Sequence, residues 1–318
     1  MPTAAPSPDP VPALADGDDD DETRRQRTRG VFYMLASAVG FSVMGLLVKL
    51  ASSTFPAMEL VFARSTFMAV LTFAAIRREG ISALGVDRWT LSVRGAVGAL
   101  SLSLFYIGIG RLPLGDAVTI QYTAPIWTAL IAAPLLGERL RPVVFVSAAL
   151  SLGGVVLVAR PSVLFGTGLA LDGWGVAAVA AAAVMSGFVY TLVRKLRATD
   201  RPMTIIFYLS WIGAVGSLPF ALGGGWAIPS GWDWTLLLGI GLATHVGQLG
   251  LTEGMHRLEA GTASSIGYRQ VVLAFVWGAV VLGDSIDGLS VVGAAIVVAS
   301  VGLTVGSGPV GATRRRSR

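Results

Sequence analysis

The chain has 318 residues, 53% hydrophobic and 14% charged, with a mean hydropathy of +0.70. A soluble domain carries roughly 25% charged residues, so this sequence lacks the polar surface to cover itself in water. It holds no cysteine and only two histidines, His245 and His256, which excludes disulfides, thiolate chemistry and Cys-based metal sites, and the layout of its net charge of +5 does not fit a nucleic-acid partner.

Residues 1–29 carry five prolines, the acidic run Gly17 to Glu22 and four arginines, Arg24, Arg25, Arg27 and Arg29. Without an apolar core this is not a signal peptide, and it reads as a disordered cytoplasmic tail. Ten apolar blocks follow, at 30–50, 57–77, 94–111, 116–137, 143–160, 173–193, 204–222, 235–255, 262–283 and 288–306. About 20 residues at 1.5 Å each match a hydrocarbon core of about 30 Å. The expected fold class is therefore an all-α integral membrane protein with ten transmembrane helices. A linker, 161–172, divides five spans (30–160) from five more (173–306), and 307–318 form a basic tail.

Charge orients the spans. With the N-terminus inside, 19 of the 24 Arg and Lys fall on cytoplasmic segments, and only Lys49, Arg111 and Arg160 on external ends. Both termini are expected to be cytoplasmic and the linker external. Arg64 and Arg269 lie within spans.

The fourth and ninth spans are copies. Gly115 to Glu138 aligns without a gap on Gly261 to Asp284 at an offset of 146 residues, pairing Gly115 with Gly261, Tyr122 with Tyr268 and Glu138 with Asp284. Five spans is an odd number, so the second copy enters the membrane inverted. Inverted repeats let two halves exchange conformations about a shared site, as secondary transporters do.

Gly115-Asp116-Ala117, mid-span Pro125, Leu136-Gly137-Glu138, the run Gly154 to Pro161, and Arg64 resemble the EamA branch of the drug/metabolite transporter superfamily over about 30–306. Phe41-Ser42, Val48-Lys49, Glu59, Arg94-Gly95 and Leu164-Phe165-Gly166 are similar to the G branch of solute carrier family 35 and its bacterial relatives. The resemblance implies a ten-helix carrier of small organic solutes with a central cavity between two EamA repeats. The second repeat departs from the pattern, with Val271 for the proline and Asp284 for the glutamate.

Ionisable groups within the bilayer are costly and mark candidate sites. Arg64 and Arg269 have no acid at matching depth, since Glu59, Asp116, Glu138 and Glu253 all stand near span ends. Such arginines either bind an anionic solute group in fork geometry or snorkel and tie down backbone carbonyls. His245, Gln248 and Thr252 share one helical face of span 8, which lines a cavity or bonds to another helix. In span 4, Gln121, Tyr122, Pro125 and Thr128 are candidates, because Pro125 frees the Gln121 carbonyl and kinks the helix. Tyr268 and Gln270 flank Arg269 and complete the substrate-binding set. Tyr106, Tyr190 and Tyr208 are possible aromatic walls, and Glu138 and Asp284 are gate or structural acids. No catalytic residue, metal site or cofactor is expected.

The expected function is secondary transport of a small polar metabolite, anionic or zwitterionic, by alternating access across a bacterial inner membrane. A cationic-drug exporter of the same fold and a membrane-embedded enzyme acting on a lipid-linked substrate stand as alternatives. The expected partners are the solute and the lipid bilayer, with no nucleic acid, and monomer and homodimer both remain open.

Overall fold

Away from water every backbone N–H and C=O must be satisfied within its own segment, so the apolar blocks fold as helices. A computed structural model of the chain describes residues 16–136, 142–159, 171–196, 198–223, 227–257, 267, 269–285 and 287–306, and all regular structure among them is helical. The elements are α1 (Asp16–Ala51), α2 (Ala57–Arg78), α3 (Arg88–Arg111), α4 (Leu114–Gln121), α5 (Ala124–Leu136), α6 (Pro142–Ala159), α7 (Gly173–Leu196), α8 (Pro202–Gly223), α9 (Trp232–Arg257), α10 (Arg269–Trp277), which runs on as a π-helical turn (Gly278–Leu282), and α11 (Gly288–Gly306). Six of them, α1–α3 and α7–α9, are long and apolar enough to cross a membrane. Large apolar side chains such as Phe220 (65% exposed) and Val280 (76%) point outward, a surface suited to lipid rather than water.

Two expectations are corrected. The helix α1 begins at Asp16, so residues 16–29 are helical rather than part of a disordered tail. The third span starts at Arg88, not at residue 94, which draws Arg94 one and a half turns inside.

The offset of 146 relates α1, α2, α3, α4–α5 and α6 to α7, α8, α9, α10 and α11 in turn. The packing respects it. α1 packs on α9 as α7 packs on α3, α2 meets α9 as α8 meets α3, and α2 and α6 pack on their own counterparts α8 and α11. Exchanging the halves leaves these pairings unchanged, as a pseudo-twofold axis between the repeats requires.

Small residues permit the approach, because helix association in lipid rests on close packing. A Cβ on Gly40 of α1 would lie 2.7 Å from the backbone nitrogen of Gly247 on α9. The offset carries these two glycines to Ser186 and Ser101, whose hydroxyls meet at 2.9 Å between α7 and α3. The same crossing is thus a bare backbone contact in one half and a hydroxyl pair in the other.

Candidate functional site

The fourth span is broken where its proline predicts. Pro125 has no N–H to give the Gln121 carbonyl, so α4 stops at Gln121 and α5 restarts at Ala124. Tyr122 and Thr123 form a tight turn between them, with Thr123 N–H donating to the Ile120 carbonyl at 3.1 Å. The turn aims two side chains at the opposite repeat. The Gln121 amide donates to the Ser186 hydroxyl at 2.9 Å, while its buried carbonyl oxygen has no partner among the described residues. The Tyr122 hydroxyl lies 2.7 Å from the Gly267 carbonyl and 2.8 Å from Gln270 Oε1. Gln270 is itself buried near the start of α10, so this contact joins the two copies of the repeated span.

Arg64 is only 4% exposed, although it sits on a membrane-length helix. Its Nε donates to Thr244 Oγ1 on α9 at 3.2 Å. Tyr106 of α3 is 1% exposed, and its buried hydroxyl has no hydrogen-bond partner among the described residues. His245 follows Thr244, half-buried, with Nδ1 unpartnered among the described residues.

The other candidates divide. Thr128 and Thr252 turn their hydroxyls back onto their own helices, at Ala124 O (2.9 Å) and Gln248 O (2.8 Å). Pro125 lies in the first turn of α5, and Gln248 is half-buried on the face of α9 shared with His245. Arg269 is exposed at the first residue of α10. Tyr268 and Glu138 fall outside the described residues.

Sequence reasoning missed three features. Arg94 is 6% exposed, its Nη1 donating to the Ile205 carbonyl of α8 at 3.0 Å. Placing the span boundary at this residue made it one more cytoplasmic charge; continuing the apolar pattern back to Thr90 and Leu91 would have drawn it inside. Glu59 stands in the first turn of α2 yet is 2% exposed, with Oε2 accepting from Ala227 N–H at 3.2 Å. Thr244, the partner of Arg64, lay beside the polar stripe already singled out.

Polar contacts gather at one pole of the bundle. Lys49, at the end of α1, donates Nζ to the Leu112 carbonyl at 2.7 Å, and Asp284 Oδ2, just past the π-helical turn, accepts from Leu114 N–H at 3.2 Å. Left-handed Gly283 (φ 70°) folds the chain back so that Asp284 N–H reaches Gly278 O at 2.9 Å. Together these bonds fasten the ends of α1 and α10 to the α3–α4 junction. At the other pole the loop before α3 docks on Asp200, whose carboxylate accepts from Val86 N–H (2.6 Å) and Asp87 N–H (3.2 Å).

Comparison with known proteins agrees with this architecture. The model of the EamA-like transporter family matches twice, over residues 28–160 and 173–306. The chain is 29% identical over 272 residues to the pseudopaline exporter CntI of Pseudomonas aeruginosa, covering 85% of this chain and 93% of that one. It is 28% identical over 282 residues to human solute carrier family 35 member G1, covering 85% and 77%. A solved crystal structure shares the fold at a TM-score of 0.59 and 22% identity, covering 85% of this chain and 96% of its own. The chain is a multi-pass membrane protein that belongs to the EamA-like transporter family.

Proposed function

We propose that this protein is a secondary transporter carrying a small polar organic metabolite, anionic or zwitterionic, by alternating access across a bacterial cytoplasmic membrane. In this reading the chain crosses ten times, both termini are cytoplasmic, and the Lys49–Asp284 pole is external. The observation that carries it is the meeting of polar side chains from opposite repeats: Arg64 with Thr244, Gln121 with Ser186, and Tyr122 with Gln270. An inverted-repeat carrier binds solute where its two repeats meet. Arg64, Gln121, Tyr122, His245, Gln248 and Gln270 contribute from the walls. Pro125 sets the break in span 4, and Thr128 and Thr252 sit on the flanking turns. Exposed Arg269 stands at the cytoplasmic mouth.

The lysines at the two poles differ in their surroundings. Lys49 is half-buried against a carbonyl, whereas Lys195, which the offset places in the equivalent position, is exposed in the last turn of α7. This supports a state closed on the outside. The test is a thermal-shift screen of the purified protein in detergent against amino acids, carboxylates, sugars and cationic drugs, since ligands of the native state raise its melting point. Stabilisation by anionic or zwitterionic compounds, followed by their uptake into proteoliposomes, is expected. Stabilisation by cations alone would replace this reading with that of a drug exporter.

A further inference from the structure

At the start of α2 a carboxylate is enclosed with one of its two oxygens unbonded. Glu59 is 2% exposed. Its Oε2 accepts from the Ala227 N–H at 3.2 Å, and its buried Oε1 has no hydrogen-bond partner among the described residues. Ala227 lies in the connection between α8 and α9, so the contact joins the two repeats.

The offset of 146 carries the α2–α3 connection onto the α8–α9 connection, and the first of these is also held by an acid. There the bonding is complete. Asp200 Oδ1 accepts from Val86 N–H at 2.6 Å, and Oδ2 accepts from Asp87 N–H at 3.2 Å and from the Thr199 hydroxyl at 2.7 Å. The acids are not copies, since the offset places Ile205 opposite Glu59 and Thr54 opposite Asp200. Each pole has its own carboxylate beneath an equivalent loop, and only Glu59 is half-satisfied.

Among the described residues no cation bonds to Glu59. Of the helices packed on α2, α8 carries one titratable residue, Tyr208, whose hydroxyl donates to the Leu84 carbonyl in the α2–α3 connection. α9 brings Asp233 to this end, where it accepts from Ser230 N–H at 3.0 Å, and its other titratable residues begin only at His245. α3 ends here in Arg111, which pairs with Asp172 at 3.0 Å; Tyr106 stands more than a turn further in, and Arg94 and Arg88 lie beyond it. Lys49 is engaged by the Leu112 carbonyl, and Arg64 by Thr244. Burying an ionised carboxylate costs far more than burying the neutral acid unless bonds or a counter-charge make up the loss. The α2 dipole favours the anion in the first turn, but weakly beside that cost. A proton on Oε1 removes the charge and leaves Oε2 as the carbonyl that accepts from Ala227. Once the α8–α9 connection lifts, water reaches the acid and the proton is free to leave.

We propose that Glu59 is a proton-binding site governing this pole: enclosed, it holds one proton, and opening of the α8–α9 connection releases that proton to the outside. Low external pH then favours the state closed on the outside. The proton site rests on the contacts above, and only its external side rests on the proposed topology.

The cysteine-free chain lets a single thiol report on the loop. Ala227→Cys keeps the N–H at a half-buried position, and Ile228→Cys, at a position 84% exposed, gives the reactivity of a free thiol at the same pH. With a membrane-impermeant maleimide and right-side-out vesicles, the ratio of the two rates should rise between about pH 5.5 and 8, by up to about tenfold per unit, as release of one proton requires. Glu59→Gln keeps an oxygen for the Ala227 N–H and carries no titratable proton, so its ratio should stay low and flat. Glu59→Ala removes the acceptor too, and its ratio should be high and flat. A parent ratio that ignores pH overturns the proposal whether or not a variant folds, as does a slope that survives Glu59→Gln. Infrared spectra of the purified full chain at neutral pH read the proton itself. The parent should show the carbonyl stretch of an un-ionised carboxylic acid that Glu59→Gln lacks, and identical spectra there overturn the proposal. A slope seen only in inside-out vesicles overturns the external assignment. Solute flux in proteoliposomes tests the transporter reading separately, so the two failures are told apart.

Discussion

Lys49→Met is the sharpest test of the proposed outward-closed state. It keeps the length and apolar stem of the side chain and removes the charge that reaches the Leu112 carbonyl at 2.7 Å. A hydrogen bond from a charged donor contributes about 1.5–3 kcal/mol, and Asp284 acts on the same charge from nearby. If that bond exists only while the outside is shut, its loss lifts the outward-open population by about 10- to 150-fold, at 1.4 kcal/mol per factor of ten. The chain has no cysteine, so one introduced thiol reports without background. Thr119 is fully buried on α4, one turn beyond Gly115, whose carbonyl it bonds. In right-side-out vesicles, Thr119→Cys should react with a membrane-impermeant maleimide about tenfold or more faster when combined with Lys49→Met. An unchanged rate would show that Lys49 does not hold the closure. A faster rate only in inside-out vesicles would show that the assigned sides are reversed.

Other predictions follow from single contacts. Tyr122→Phe removes the hydroxyl that meets Gln270 and Gly267 and leaves a buried amide oxygen unpaired, costing about 1–3 kcal/mol; transport rate should change more than solute affinity, as measured by initial uptake against substrate concentration. Gly40→Leu sets a branched side chain against the α9 backbone, where even a Cβ would stand 2.7 Å from Gly247 N, and should lower the folded yield on size exclusion sharply while Gly216→Leu, with open space around it, should not. Asp87 caps α3, and the Thr90 side chain and amide hold its carboxyl below the usual carboxylate range. A depressed folded value stabilises above the ordinary carboxylate pKa and is lost as pH falls through the folded one, so Asp87→Asn should flatten the fall in melting temperature on acidification below about pH 4.

The sequence was most legible where one physical constraint acted alone. Apolar length gave the helices, and the offset of 146 gave the pairing of halves that the packing obeys. Pro125 located the break in span 4 because a missing N–H acts wherever the chain goes. Burial was harder to read. Arg94 and Arg269 are both arginines at a predicted boundary or inside a span, yet the first is enclosed and the second exposed. Which face a helix turns inward depends on its tertiary neighbours, and Arg94 is enclosed because α8 offers the Ile205 carbonyl beside it. Glu59 shows the same limit, since a first-turn carboxylate is buried only once Ala227 folds over it. Tyr122 and Gln270 were separately visible as polar residues in copied spans. That they touch follows from the axis relating the copies.

That axis also yields the most exacting test of mechanism. The offset carries Lys49 onto Lys195 and Asp284 onto Glu138, with Glu138 outside the described residues. A carrier whose halves exchange roles should close its inner pole with Lys195 as it closes its outer pole with Lys49. Lys195 is exposed here, so it makes no contact like that of Lys49 in this state. Lys195→Met should therefore destabilise only the opposite, outward-open state. Labelling of Thr119→Cys should fall, whereas Lys49→Met raises it. The two effects act on opposite sides of one equilibrium, so in the double substitution they should oppose, bringing the rate back toward the parent value. Rates that rise with both single substitutions and rise further in the double would mean that each lysine merely supports its own helix end. Alternating exchange about the pseudo-twofold axis would then lose its structural basis, whatever solute the protein carries.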